Sequence, residues 1–334
     1  MTADPTSAAT PRPPERPCPP ERQGPPERQG PPEEQGPPER QGPPKGQPNR
    51  QRPTERRIPV TGGIELAVRT LTEDAGNHGA TGVPVLLVHG LASNARTWDG
   101  VADALGALDH PVAAVDQRGH GRSDKPDDGY DFATLTADLV AVIEALGWEG
   151  RPPLVAGQSW GGNVVLELGR RHPQATRAVA GVDGGTIELA GRFPTWERAR
   201  AALTPPRLSG LNLSELETMI RSLHPDWTDQ GVAGTLANME VGPGGTIAPR
   251  LSLDHHLTIL RHLWEHRPSA LYPDVAVPVL LLPSAMAGDL GAATAGLPVV
   301  RVQRFDGADH DVHVQHPVEV AAVLHQATDP GFFA

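Results

Sequence analysis

The chain of 334 residues has a single cysteine, Cys18, which leaves no disulfide framework and no cysteine-based zinc site. That fits a reducing compartment. It also has no run of 18 apolar residues, and its opening MTADPTSAATPRPP lacks the apolar core of a signal peptide. A cytoplasmic, soluble protein with no membrane span is therefore expected. Cations are scarce as well, with 29 Lys and Arg against 40 Asp and Glu and a net charge of −11. Splitting the chain after Arg57 sharpens the deficit: residues 1–57 hold ten cations and eight anions, leaving 19 against 32, or −13, for the rest. A body this acidic repels a phosphate backbone, whose binding depends on cations displacing counterions, so no nucleic-acid partner is expected.

Residues 1–57 contain no Val, Leu, Ile, Phe, Trp or Tyr, yet hold 17 of the 37 prolines. From Pro13 they repeat a hexapeptide: PPERPC, PPERQG, PPERQG, PPEEQG, PPERQG, PPKGQP. Proline removes backbone donors and favours polyproline II, and without apolar side chains nothing offsets the ordering entropy. The segment reads as a disordered, solvated tail rather than a ligand for an aromatic groove. The remaining 277 residues are enough for one large domain.

After Arg57 short apolar runs alternate with helical stretches. Strands are expected at 65–70, 83–88, 112–115, 154–156, 178–182, 277–282 and 299–302, and helices at 95–108, 135–146, 162–171 and 317–325. Runs that are apolar throughout suit strands covered on both faces, so the pattern predicts an α/β fold with an open, mostly parallel sheet flanked by helices. Chemistry in such sheets sits at the carboxyl ends of the strands. From Ile187 to Tyr272 no strand is evident, only helical pieces at 194–203, 213–223, 227–239 and 253–264. The expected organisation is thus a tail at 1–57, a core at 58–186 and 273–334, and an all-helical cap at 187–272 inserted before the penultimate strand.

The strand ending at Ala156 runs into Gly157-Gln158-Ser159-Trp160-Gly161-Gly162 and then a helix, which is G-x-S-x-G in its strand–turn–helix setting. Small residues at 157 and 161 allow the close backbone approach such a turn needs, and the helix N-terminus favours developing negative charge at Ser159. A second strand ends in His89-Gly90, after which the N–H of Leu91, paired with that of Trp160, can form an oxyanion hole. His89 itself is expected to order the loop. After the last strand comes Asp306-Gly307-Ala308-Asp309-His310, where His310 is preferred as proton carrier over His313 and His316 because it comes first after the turn.

Four blocks in order, VHGL, DQRGHGRSDKP, GQSWGG and GADHDVHVQHP, resemble the α/β-hydrolase superfamily, in its capped esterase, haloperoxidase-like and dehalogenase-like branch. The resemblance spans Val88 to Pro317 and implies Ser159 as nucleophile, His310 as base and Leu91 with Trp160 as oxyanion hole. It also marks Asp116 to Pro126 as a signature, read here as structural, with Arg118 and Asp124 fastening the loop and Gly119 and Gly121 supplying turns. The chain departs from the pattern at the triad acid: Ala285 to Ala287 stand about where it is usual. Asp183, at the end of the strand before the cap, is preferred; Asp289, two or three residues late after the penultimate strand, is the alternative.

Family members that attack saturated carbon put aspartate in the elbow, whereas serine attacks acyl carbon. The expected function is therefore a serine hydrolase acting on an ester, thioester or lactone with a small apolar acyl group, through an acyl-enzyme and with no cofactor. Two alternatives stand beside it. One is a prolyl-aminopeptidase-like amide hydrolase, disfavoured because Leu91-Ala92-Ser93-Asn94 replaces the Gly-Gly-Pro-Gly loop of those enzymes. The other is a non-catalytic binding protein on the same fold. No G-x-G-x-x-G follows the strand at 83–88, against a dinucleotide site. His255, His256, His262 and His266 lack the H-E-x-x-H arrangement of a metal site and are expected to be polar positions on the cap.

Overall fold

The structure, a computed structural model, describes residues 53–70, 81–206, 208, 210–288 and 290–334. The expected tail up to Arg52 and the alternative acid Asp289 lie outside the described residues.

Six strands precede the insertion: β1 (Thr54–Val60), β2 (Ile64–Thr70), β3 (Val85–Val88), β4 (Val112–Val115), β5 (Leu154–Gln158) and β6 (Ala178–Val182). Within it lie β7 (Met239–Val241) and β8 (Ile247–Pro249), and after it β9 (Val279–Leu282) and β10 (Val300–Val302). Eight of the ten form one sheet in the order β1-β2-β4-β3-β5-β6-β9-β10. β1 and β2 run antiparallel to their neighbours, and from β4 to β10 every pairing is parallel.

Helices α1 (Asp99–Gly106), α2 (Phe132–Ala145) and α3 (Trp160–Arg171) follow β3, β4 and β5; α9 (Leu290–Ala293), α10 (Val312–Gln315) and α11 (Pro317–Gln326) end the chain. The all-apolar strands feed two cores, as expected for a doubly covered sheet. Leu86 and Val88 face α2 and α3, while Val85 and Leu87 face α1 and α11. The alternation along one strand places its residues in opposite layers, and all four are buried.

β1 begins at Thr54, so a boundary after Arg57 cuts four residues into the sheet. The reason it was not visible is that Thr54 to Arg57 are polar and exposed; only Ile58 of β1 is buried. Pairing along all seven residues of β2 fixes this edge strand, aided by Arg57, which bonds Asp124 and Glu65.

Residues 187–272 lie between β6 and β9 and hold α4 (Leu189–Arg192), α5 (Trp196–Leu203), α6 (Leu213–Leu223), α7 (Asp229–Leu236) and α8 (Leu253–Glu265). They are not all helical, as the sequence suggested: β7 and β8 form an antiparallel hairpin. Its turn, Pro243-Gly244-Gly245, uses positive φ at both glycines (77° and 80°). Strands of three residues are too short to show a period, but Ile247 packs with Leu216, Ile220 and Trp227 in a small core of their own. Among the described residues no helix is long and apolar enough to cross a membrane.

Candidate active site

β5 delivers Ser159 into a sharp turn at φ 52°, ψ −122°, just before α3. A non-glycine residue there costs on the order of 1–3 kcal/mol and persists only where the surroundings impose it. Those surroundings are backbone packed on backbone. A Cβ on Gly157 would sit 2.1 Å from the Gly161 carbonyl oxygen, one on Gly161 2.4 Å from that of His89, and one on Gly184 2.2 Å from that of Ser159. The Ser159 side chain makes no capping bond to α3, so its hydroxyl is free for another partner.

That partner is His310, which the turn after β10 brings back over β5. Ser159 Oγ lies 2.9 Å from His310 Nε2. On the other side of the ring, Nδ1 lies 2.6 Å from Asp183 Oδ2. Asp183 ends β6, the strand beside β5, and its φ of 43° turns the carboxylate toward the histidine. Its second oxygen accepts from the Ser284 amide at 2.8 Å. Burial pushes the Asp183 carboxyl up, but the hydrogen bonds from His310 and Ser284 outweigh it and hold the group below its ordinary value. The same hydrogen bond from His310 to Asp183 raises the imidazole above 6.5 against the effect of burial. The arrangement suits an Nδ1–H donating to Asp183, which leaves Nε2 facing the serine hydroxyl.

The loop after β3 meets this trio from the opposite side. A Cβ on Gly90 would come within 3.1 Å of the Ser159 Cβ. The next two amides are distinguished by their partners: Ala92 N–H donates to His120 Nε2 at 3.3 Å, whereas Leu91 N–H has no acceptor among the described residues. Trp160 N–H opens α3, where no intrahelical acceptor exists. Both amides flank Ser159.

The remaining histidines separate by environment. His89 donates from Nδ1 to the Gly90 carbonyl at 2.7 Å and accepts at Nε2 from the Gln117 amide at 3.0 Å, joining two loops. Burial pushes it down to about 4, so it stays neutral. His313 is buried against Trp98 with ring centroids 4.3 Å apart, is pushed down to about 3 by burial, and does not reach the serine. His316 ends α10, and its ring lies 6.0 Å from that of Phe305. Asp124 accepts from the Glu65 amide at 2.8 Å and bonds Arg57, while Arg118 grips Asp138 of α2 through both oxygens at 2.6 and 2.8 Å. Among the described residues no three His, Cys, Asp or Glu side chains are grouped to hold a metal. Of the four cap histidines, His256 bonds the Leu203 carbonyl and His266 bonds Glu167.

Two networks around the trio carried no signal in the sequence. Asn163 on α3 accepts from the amides of Gly185 and Ile187, at 3.0 and 3.3 Å, and donates to His266 Nδ1 at 3.1 Å; His266 Nε2 then donates to the buried Glu167 at 3.2 Å. This ties the turn after Asp183 to α3 and to the end of α8. Asp309 accepts from His224 Nδ1 (2.9 Å), Trp227 Nε1 (3.1 Å) and the Asp311 amide (2.8 Å), clasping the turn that carries His310 to the segment between α6 and α7. The bonds that join these networks to the insertion, from Asn163 and Glu167 to His266 and from Asp309 to His224 and Trp227, link residues more than eighty positions apart that share no local pattern.

A model of the alpha/beta hydrolase family matches residues 85–323. Epoxide hydrolase A of Mycobacterium tuberculosis is 34% identical over 145 residues, 43% of this chain and 42% of that protein. A non-heme chloroperoxidase of Streptomyces lividans is 37% identical over 92 residues, 28% of this chain and 33% of that protein. The chain thus spans less than half the length of these curated relatives. Among solved structures, E-2-(acetamidomethylene)succinate hydrolase superposes with a TM-score of 0.66 over 82% of this chain and 98% of that one, at 24% identity, a likeness of fold.

Proposed function

As the chain belongs to the alpha/beta hydrolase family, we propose that it is a serine hydrolase cleaving an acyl bond, a carboxylic ester, thioester or lactone, through an acyl-enzyme. The observation that carries this reading is the continuous chain from Ser159 Oγ through His310 to Asp183, at 2.9 and 2.6 Å. In acylation Ser159 Oγ attacks the carbonyl carbon while its proton passes to His310 Nε2. The tetrahedral oxygen is held by the amides of Leu91 and Trp160, each such donor contributing about 3–4 kcal/mol to the transition state. Collapse breaks the acyl–heteroatom bond, and His310 returns the proton to the leaving group. Water, deprotonated by His310, then releases the acid and restores Ser159.

Serine also argues against epoxide opening, the activity named in one relative. Attack on saturated carbon would leave a serine ether, which has no carbonyl for water to attack, whereas an acyl ester at Ser159 turns over. The Asp183 carboxylate bonded to His310 at 2.6 Å favours this reading over a non-catalytic binding protein. A fluorophosphonate probe tests the reading. Ser159 in the native protein is expected to be labelled and Ser159→Ala to be inert; native protein that stays unlabelled while a known esterase in the same tube reacts would falsify it.

A further inference from the structure

Beside the candidate site, yet outside it, lies a cavity of about 520 Å³. Its floor is Ala92 and Ser93, the residues immediately after the Leu91 amide, and its walls come from the insertion, chiefly Pro205, Met239, Ile247, Pro249 and Leu251. Gly90 touches Ser159, and Ala92 is two residues further, at most about 7.6 Å from Gly90 between Cα atoms. The cavity therefore begins within one small group's reach of the oxyanion amides. Its size falls within the ordinary range for small-molecule sites.

The lining says what it can hold. Among the described residues its basic side chains are Arg250 and His256, and Arg250 donates to Glu240 at 2.9 Å and to the Ala237 carbonyl at 3.1 Å. Asn238 accepts from Asn94, His256 bonds the Leu203 carbonyl, Ser93 bonds Thr97, and Ser252 accepts from the His255 amide. Each of these polar side chains among the described residues has at least one partner in the protein. A charged ligand meets no unpaired countercharge among these described side chains, whereas an uncharged hydrocarbon needs none and gains from the apolar wall.

Geometry also says which arm of the substrate goes there. The leaving group must receive its proton from His310 Nε2 and so lies on the histidine side, beneath the segment that Asp309 clasps to α6 and α7. The cavity includes the oxyanion loop but no residue of the His310 turn. The acyl arm is the one that faces it.

We propose that this cavity seats the acyl chain, and that the substrates are esters or thioesters of uncharged, medium-chain aliphatic acids, with the β7–β8 hairpin limiting chain length. The proposal rests on the serine-hydrolase reading. At about 30 Å³ per water-sized group, an acyl chain of roughly six to ten carbons fits with space to spare.

The test is kcat/KM on p-nitrophenyl acetate, butyrate and octanoate for the full chain, Ala248→Phe and Leu251→Ala, with the octanoate-to-acetate ratio correcting for any loss of folded protein. Each buried methylene is worth about fourfold, so octanoate is expected to exceed acetate at least tenfold. Ala248→Phe, which fills the cavity, lowers that ratio at least tenfold; Leu251→Ala moves the optimum to longer acids. Ethyl octanoate is cleaved in preference to octyl acetate. A flat chain-length profile, an unchanged ratio in Ala248→Phe, or preference for octyl acetate overturns the proposal while fluorophosphonate labelling still upholds the serine hydrolase. A protein that is neither labelled nor active on acetate overturns the serine-hydrolase reading and this one with it.

Discussion

Asp183 holds His310 by a single 2.6 Å bond, and the histidine's charge state depends on it. Replacing it with Asn preserves shape but offers Nδ1 an amide that can donate as readily as accept, which permits the wrong tautomer. Asp183→Asn is expected to lower kcat on a p-nitrophenyl ester by about 10³–10⁴-fold with the melting curve little changed. The pH dependence follows from the same bond. In the proposed mechanism His310 serves as a base only when neutral, so the rate is expected to fall as pH drops through its pKa; because that pKa is raised above 6.5, the acid limb of kcat/KM is expected above 6.5. In Asp183→Asn the largest raising influence is gone and burial remains, so whatever residual activity is measured keeps its value to lower pH. The two residues that the sequence offers as nucleophile and base, Ser159 and His310, each follow a strand and a turn, and the fold brings them within 2.9 Å of each other. For the acid the sequence offers two aspartates, Asp183 and Asp289. Asp183 comes beside Ser159 through strand order, with β6 next to β5 and the Ser159 amide bonded to the Val182 carbonyl at 3.0 Å, and order in a sheet is not written in local pattern.

Among the elements, the helices and buried strands could be read because their apolar residues recur with the period of the structure: α6 (Leu213–Leu223), β4 (Val112–Val115) and β6 (Ala178–Val182) coincide with the expected spans. The β7–β8 hairpin could not, because three-residue strands show no period and their stability comes from packing on α6 rather than from propensity. How the insertion is fastened was equally hidden. The Asp309 carboxylate joins the His310 turn to His224 and Trp227, and neither partner is marked by any motif. Hydrogen bonds to a charged group are worth about 1.5–3 kcal/mol. Removing them in Asp309→Ala is expected to raise amide hydrogen exchange across 224–236 by at least tenfold, while β3, β4 and β5 keep their protection. Uniform acceleration over the whole sheet would instead mean that Asp309 supports global stability and that the clasp is not local.

At the scale of the molecule, the four motif blocks and the family match both begin near β3, so neither reaches β1 and β2, which complete one edge of the sheet. β1 was hidden because Thr-Glu-Arg-Arg reads as a continuation of the polar tail, and an edge strand needs no apolar face beyond the single buried Ile58. Its contribution comes from backbone pairing and from Arg57, which reaches Glu65 on β2 and Asp124 in the signature loop after β4. The position of the true boundary is therefore open to direct measurement. A chain beginning at Arg50 keeps all seven paired residues of β1, whereas one beginning at Ile58 loses four of them together with the Arg57 bonds. The first is expected to melt and hydrolyse ester as the full chain does. The second should melt about 5–10 °C lower, equivalent to some 2–3 kcal/mol in a domain of this size. It should also self-associate, because it leaves Ala67 to Thr70 on the β2 edge unpaired and open to a second chain. Calorimetry and light scattering on the two chains decide the matter: equal melting temperatures without aggregation would place the start of the folded body at Ile58 after all, and leave Thr54 to Arg57 as a strand in geometry without a share in stability.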